Sequence, residues 1–296
     1  MRIIWSAVLI AVAVAVSVAG CRRKAPSEPP LAKPSIALSR NKAPLGSPIE
    51  VTYRFEVEPN PPSIKEDYKV FVAVVDSDGE IMWQDDHDPS VPTTQWRPGQ
   101  KIEYTRTVFI PPYPYLGDAT IRMGLYSTST QKRVALSGDD MGKLAYRVGK
   151  IELRPQTENL FTVYKDGWHS PEVPAGDPHA EWQWTKKKEA TLAFKNPKKD
   201  STFYLDLDNP GTIFPEGQHV EVRLKDKNVT DFTLQPVTRV FHKIPLSAAQ
   251  LGSDDMVDLT IAVDKTFVPA DLPGSTNKDP RELGVRVFHA FVQPVQ

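Results

Sequence analysis

The sequence predicts an all-β protein, an immunoglobulin-like β-sandwich followed by a second, jelly-roll-like β-sandwich. Three observations lead there. Short runs of alternating apolar and polar residues recur along the chain, the period-two mark of half-buried strands. Long helical periodicity is nearly absent. Prolines number 28 against 16 glycines, so proline-rich turns separate the runs.

The first element is an export signal. Met1-Arg2 supplies a positive charge, residues 3–18 are apolar except for Ser6 and Ser17, and Ala19-Gly20 precede Cys21. A basic start, an apolar stretch and a small-residue exit make residues 1–20 a secretory signal peptide. Val18-Ala19-Gly20-Cys21 resembles the lipobox of bacterial lipoproteins. That resemblance implies cleavage before Cys21, acyl chains on the new terminus, and a membrane anchor. The competing reading is a transmembrane helix, which needs about 20 apolar residues. Lipidation is favoured because the only cysteine of the chain stands where a lipobox requires one. Two or more acyl chains hold a protein stably on a bilayer. In enterobacterial lipoproteins an Asp after the cysteine retains the protein in the inner membrane. Arg22 stands there here, so the expected place is the cell envelope, outer membrane favoured over inner. Residues 21–35 read as a proline-rich tether, extended and semi-rigid, with folded sequence from Ile36.

The first sandwich is expected over residues 36–153. Ile49, Val51, Tyr53, Phe55 and Val57 alternate with polar residues, residues 68–75 form a fuller apolar strand, and 81–83 follow a turn at 76–80. Ile102, Tyr104, Arg106, Val108 and Ile110 alternate again, and residues 120–127, 133–136 and 144–153 complete the set. About seven short strands suit an immunoglobulin-like sandwich. Residues 154–159 form a short boundary. The second sandwich is expected over residues 158–296, with strands at 160–164, 181–184, 190–194, 202–207, 220–224, 240–244, 257–263 and 285–292 and a helical turn at 245–251. That many strands over this length suit a jelly roll.

Charge is balanced, 36 Lys and Arg against 37 Asp and Glu, with no basic stripe, which excludes nucleic acid as the expected partner. Asp166-Gly167-Trp168 with Glu172, Glu181-Trp182-Gln183-Trp184-Thr185 and Asp279-Pro280-Arg281-Glu282-Leu283-Gly284 resemble accessory sandwich domains of bacterial envelope glycosyltransferases and carbohydrate-related proteins. In the first half, Trp96-Arg97-Pro98-Gly99 and Gly124-Leu125-Tyr126 resemble the domains that accompany them. The resemblance implies a β-sandwich fold and an envelope or sugar context; the catalytic domain of a transferase is not part of it.

No pattern of catalytic residues outweighs its structural explanation, and the chain is expected not to be an enzyme. GxSxG is missing and the lone cysteine belongs to the anchor. His169, Glu172, Asp177, His179 and Glu181 share one segment, but Pro171, Pro174 and Pro178 make it an irregular loop, so His169 and His179 are only weak metal candidates. No cofactor is expected. Asp85-Asp86-His87-Asp88 reads as a polar loop ahead of a calcium site, and Asp76-x-Asp78-Gly79 as a hairpin turn. Asp206-x-Asp208-Asn209-Pro210-Gly211 ends a strand with turn chemistry. His242 and His289 fall in strands, where packing or edge exposure explains a histidine. Asp279, Arg281 and Glu282 are expected to pin a long loop to the sandwich. Residues 111–115 (PPYPY) make an aromatic loop at a sandwich end.

The aromatics carry the functional reading. Sugar rings offer apolar C–H faces and hydroxyl edges, which suit a tryptophan beside carboxylates or amides. Trp168, Glu172, Glu181, Trp182 and Trp184 are the candidate ligand-binding residues, and Cys21 the lipid attachment site. Trp182 and Trp184 share one strand face by spacing, which fits core as well as platform, and Trp168 is expected to be the most exposed. The expected function is noncatalytic binding of envelope glycan or a protein partner. The alternatives are an envelope scaffold without a small ligand, and a metal-dependent hydrolase centred on residues 169–181.

Overall fold

The computed structural model describes residues 28–112, 115–156, 162–174, 181–209, 211 and 213–295. The signal segment, Cys21, Asp177 and His179 lie outside the described residues. Among the described residues, no helix is long and apolar enough to cross a membrane.

The fold is all-β. In the first sandwich, β1 (Ala32–Leu38), β3 (Pro48–Val57) and β6 (Lys101–Phe109) form one sheet. The other runs β2 (Lys42–Pro44), β9 (Tyr146–Arg154), β7 (Gly117–Ser127), β4 (Tyr68–Val75), β5 (Ile81–Gln84), with β8 (Arg133–Val134) on β7. The first edge crosses from one sheet to the other: β1 pairs antiparallel with β3, then β2 runs parallel to β9. This is immunoglobulin-type connectivity. The alternating residues of β3 bury Val51, Tyr53 and Phe55 against Val70, Val72 and Val74 of β4 in one core. Each such side chain contributes about 1.5–3 kcal/mol of burial. The opposite face of β4 is apolar too, and Arg133 covers Phe71 there, its guanidinium 4.1 Å from the ring centre.

Folded structure begins before Ile36, which shortens the expected tether. Leu31 and Ala32 are fully buried, and β1 pairs along its whole length with β3. The proline spacing that suggested a tether includes Pro34, yet an edge strand tolerates proline, and Pro34 sits opposite Phe55 within the ladder.

In the second sandwich one sheet runs β10 (Thr162–Tyr164), β12 (Glu189–Lys195), β17 (Met256–Val263), β14 (Gln218–Leu224), β15 (Lys227–Leu234). The other runs β11 (Gln183–Lys186), β18 (Leu283–Pro294), β13 (Ser201–Asp208), β16 (Val240–Leu246). Apart from the β14–β15 hairpin, successive strands alternate between the sheets, which is jelly-roll-like winding. Leu192, Phe203, Leu205, Val222, Ile261 and Val287 lie in the shared core. The helical turn is shorter than expected. Pro245 and Leu246 belong to β16, and α1 (Ala248–Leu251) opens with a capping box between Ser247 and Gln250. Strand β15 escaped the sequence pattern because it is an edge strand, mostly exposed and polar.

One irregularity positions the site below. Along β13 and β18 the partners run Asp206 with His289, then Leu207 with Val287, so Phe288 is an extra residue in β18. A bulge of this kind re-aims side chains. It leaves Phe288 and His289, neighbours in sequence, both on the outer face of the sheet, where they meet Arg239 and Asp206.

Candidate functional site

The loop before β11 holds the first candidates. Gly167 has φ +83°, and a Cβ there would lie 2.2 Å from the Glu189 carbonyl oxygen, so only glycine lets the loop lie this close to β12. Trp168 is half-buried. Its indole N–H donates to the Thr191 carbonyl at 2.8 Å, and its ring packs on Tyr164 and the second core. Trp168 is thus half-buried, as Trp182 is, rather than freely exposed. Glu172 accepts from Arg281 Nη1 at 2.7 Å, while Arg281 also grips Asp279 through Nε and Nη2. His169 donates from Nε2 to the Glu282 carbonyl at 2.9 Å. These bonds tie the loop to the entrance of β18. The Asp279 and Glu172 carboxylates in turn raise the Arg281 pKa, against the effect of its partial burial. Glu181 is exposed. Among the described residues, no group of three His, Cys, Asp or Glu is arranged to hold a metal ion.

Trp182 and Trp184 lie elsewhere. Both rings are on the outer face of the four-stranded sheet, away from the core, in company with Arg286. Trp184 is buried there against Phe267, whereas Trp182 is half-buried and faces Phe288 with ring centres 6.0 Å apart. The Trp182 Nε1–H is covered and has no hydrogen-bond partner among the described residues. A covered donor without an acceptor is costly, about 1–3 kcal/mol.

The neighbours of these rings come from β13, β18 and the residue just before β16. Arg286 donates from Nε and Nη2 to the two oxygens of Asp208, at 2.8 and 2.7 Å. Arg239 grips Asp206 in the same bidentate way, with its Nε bond at 2.8 Å, and its guanidinium carbon sits over Phe288, 3.7 Å from the ring centre. His289 donates from Nδ1 to Asp206 at 2.9 Å. Burial alone would raise the Asp206 pKa, but the bonds from Arg239 and His289 outweigh it and hold the carboxyl below its usual range. The result is a face of aromatic rings interleaved with two guanidinium–carboxylate pairs.

Sequence reasoning missed Arg239, Asp206, Asp208, Arg286 and Phe288. A signal was present: Asp206 and Asp208 alternate with the core residues Leu205 and Leu207, so both point to the opposite face of one strand. They belong to the strand itself, while the turn chemistry starts at Asn209, whose side chain accepts from the Gly211 amide.

The first sandwich reaches this same sheet. Phe109 of β6 stacks on His289 with centres 4.0 Å apart and planes 6° from parallel, and meets Phe241 edge-on at 5.8 Å. Lys243 pairs with Glu50 across the seam.

A second polar cluster lies inside the first sandwich. Asp85 accepts from the Tyr53 hydroxyl at 2.9 Å and from Arg106 Nη2 at 3.0 Å. His87 bonds through Nδ1 to the Asp85 carbonyl at 2.8 Å, which makes Nδ1 the protonated nitrogen and Nε2 the acceptor for the Tyr104 hydroxyl at 2.9 Å. Burial pushes the His87 imidazole down and both tyrosine hydroxyls up. A void of about 30 Å³ beside Tyr53 and Asp85 has room for a water but not for a ligand. The acidic stretch is therefore only partly a solvated loop, since Asp85 and His87 turn inward.

No protein-family model matches the chain, and no curated protein matches it in sequence. Solved structures with some likeness include a CBM36 domain of a multidomain xylanase from the hindgut metagenome of Trinervitermes trinervoides. It has 6% identity and a TM-score of 0.29, covering 47% of this chain and 99% of that one. The C-terminal CBM6 of a marine laminarinase from Zobellia galactanivorans has 8% identity and a TM-score of 0.27, covering 46% and 99%. A CBM22 tandem domain from Paenibacillus barcinonensis has 10% identity and a TM-score of 0.28, covering 90% and 92%. Likenesses this remote align no functional residue, and the chemistry of the site rests on its own geometry.

Proposed function

We propose that this chain is a noncatalytic binding protein, lipid-anchored through Cys21 in the cell envelope, whose second sandwich binds glycan on the outer face of the β11–β18–β13–β16 sheet. The observation that carries the reading is Trp182: a half-buried ring on the outer face, flanked by Phe288 and Arg286. An aromatic ring bordered by guanidinium N–H groups suits the C–H face and the hydroxyl edge of a pyranose. Asp206 and Asp208 are each gripped by a guanidinium, and the lowered pKa of Asp206 makes it a poor general acid. This argues for binding rather than glycoside hydrolysis.

The test is a glycan-array screen of the Cys21→Ser chain produced without its signal segment, with Trp182→Ala and Trp168→Ala beside it. Binding lost in Trp182→Ala and kept in Trp168→Ala supports the site. Binding insensitive to Trp182→Ala places the site elsewhere, and no binding removes the glycan reading. The anchor has a separate readout: Cys21→Ser in the full chain is expected to abolish lipid labelling and membrane retention. Retained lipid would show that the anchor lies elsewhere.

A further inference from the structure

We propose that this face selects uncharged saccharides and discriminates against anionic ones such as uronates and phosphorylated sugars. The inference rests on the glycan reading above and specifies its ligand class. Recognition of an anion calls for a guanidinium or ammonium whose charge is still available. Here the arginines around Trp182 and Phe288 are already matched. Arg286 is paired with Asp208, Arg239 with Asp206, and Arg281 with both Asp279 and Glu172. The last trio carries an excess negative charge at the edge of the tryptophan strand, since Glu172 pairs with Trp182 through the backbone.

The matched pairs still have hydrogen-bonding capacity. A guanidinium carries five N–H donors, and a bidentate grip through Nε and one Nη leaves three free. Asp208 keeps a lone pair on each oxygen, and Asp206 on Oδ1, since its Oδ2 accepts from both Arg239 and His289. Each pair therefore presents mainly guanidinium donors, backed by a largely covered carboxylate, and these suit the oxygen of a hydroxyl group. Arg239 sits over Phe288 and Arg286 sits 4.9 Å from the Trp182 ring centre, so these polar edges border apolar faces. An anion gains little from such a surface. Taking Arg286 or Arg239 for itself would strip the partner from Asp208 or Asp206, both of which are buried.

The experiment titrates the Cys21→Ser chain with gluco-, xylo-, manno- and N-acetylglucosamine hexasaccharides, and with galacturonate and mannuronate hexasaccharides. Each titration is run at about 0.02 M and about 0.3 M salt. The expected result is binding of at least one uncharged hexasaccharide, with affinity changing less than about twofold across that salt range, and uronates at least about tenfold weaker. Asp208→Asn keeps the shape of the pair but frees the charge of Arg286, and is expected to narrow the gap between uronate and uncharged ligand. Uronate binding equal to or tighter than uncharged binding, weakening with salt, overturns this inference and leaves the glycan reading standing. Failure of every saccharide to bind overturns both.

Discussion

Two regions of this molecule use nearly the same residues to opposite ends. In the first sandwich, Asp85, His87, Arg106 and two tyrosines gather between the sheets, with His87 and Tyr53 almost fully buried. In the second, Asp206, His289, Arg239 and a set of aromatic rings gather on the outer face of a sheet, with Arg239 exposed. The aspartate is the hub in both. The difference is what remains available: Tyr53, Tyr104 and His87 are bonded to one another or to Asp85, whereas the outer cluster keeps guanidinium N–H groups beyond those its carboxylates hold. Composition alone does not separate a cluster sealed between sheets from one on an outer face; the face of the strand does.

The largest expected effect comes from breaking the inner hub. Asp85→Ala leaves the Tyr53 hydroxyl buried without a partner and deprives the part-exposed Arg106 of its counter-charge, and should lower the stability of the first sandwich by about 2 kcal/mol. Hydrogen exchange read on peptides of β3 and β6 checks this, with glycan affinity as the control. A loss well below about 1 kcal/mol would mean that the inner cluster is as dispensable as a surface ion pair.

A smaller effect separates the clusters by pH. His87 is held below its ordinary value by burial, so the unfolded chain takes up the proton first. Stability contributed by neutral His87 is present above about pH 6.5 and is lost as pH falls below it. Asp206 is also held low, so its contribution is present above the ordinary carboxylate value of about 3.9 and is lost only as pH falls below that. His242 is pushed down by burial as well and would blur the comparison in the second sandwich, so the measurement uses His242→Gln as background. Hydrogen exchange from about pH 7 to about pH 3 should then show the first sandwich weakening before the second, and His87→Gln should remove the earlier step. Simultaneous weakening with His87 intact would refute the assignment.

Much of the fold was legible in the sequence and less of the site, for one physical reason. Alternation in β3 and β6 reports a half-buried face directly, because residues two apart share a side. Strand β1 contains Pro34, and β15 is largely polar, so neither carries that signal although both pair fully. Spacing placed Trp182 and Trp184 together but could not say which face they take. That depends on Arg286, Asp208, Phe288 and Arg239, which come from other strands and are aligned by a bulge in β18. Pairing across a sheet and a one-residue bulge are not properties of any local window.

The smallest expected effect tests whether the two sandwiches share the outer face. Phe109 stacks on His289, which also holds Asp206, so the first sandwich touches the hub of the candidate site. Phe109→Ala removes that stack and should weaken the seam by about 1 kcal/mol, without destabilising either core comparably. Faster hydrogen exchange confined to β18 around His289, with β3 and β13 unchanged, is the expected reading. Glycan affinity measured on the same variant then decides the role of the seam. An altered affinity makes the first sandwich a wall of the site, whereas an unchanged one leaves it as a neighbour that covers His289 and confines binding to the Trp182 side.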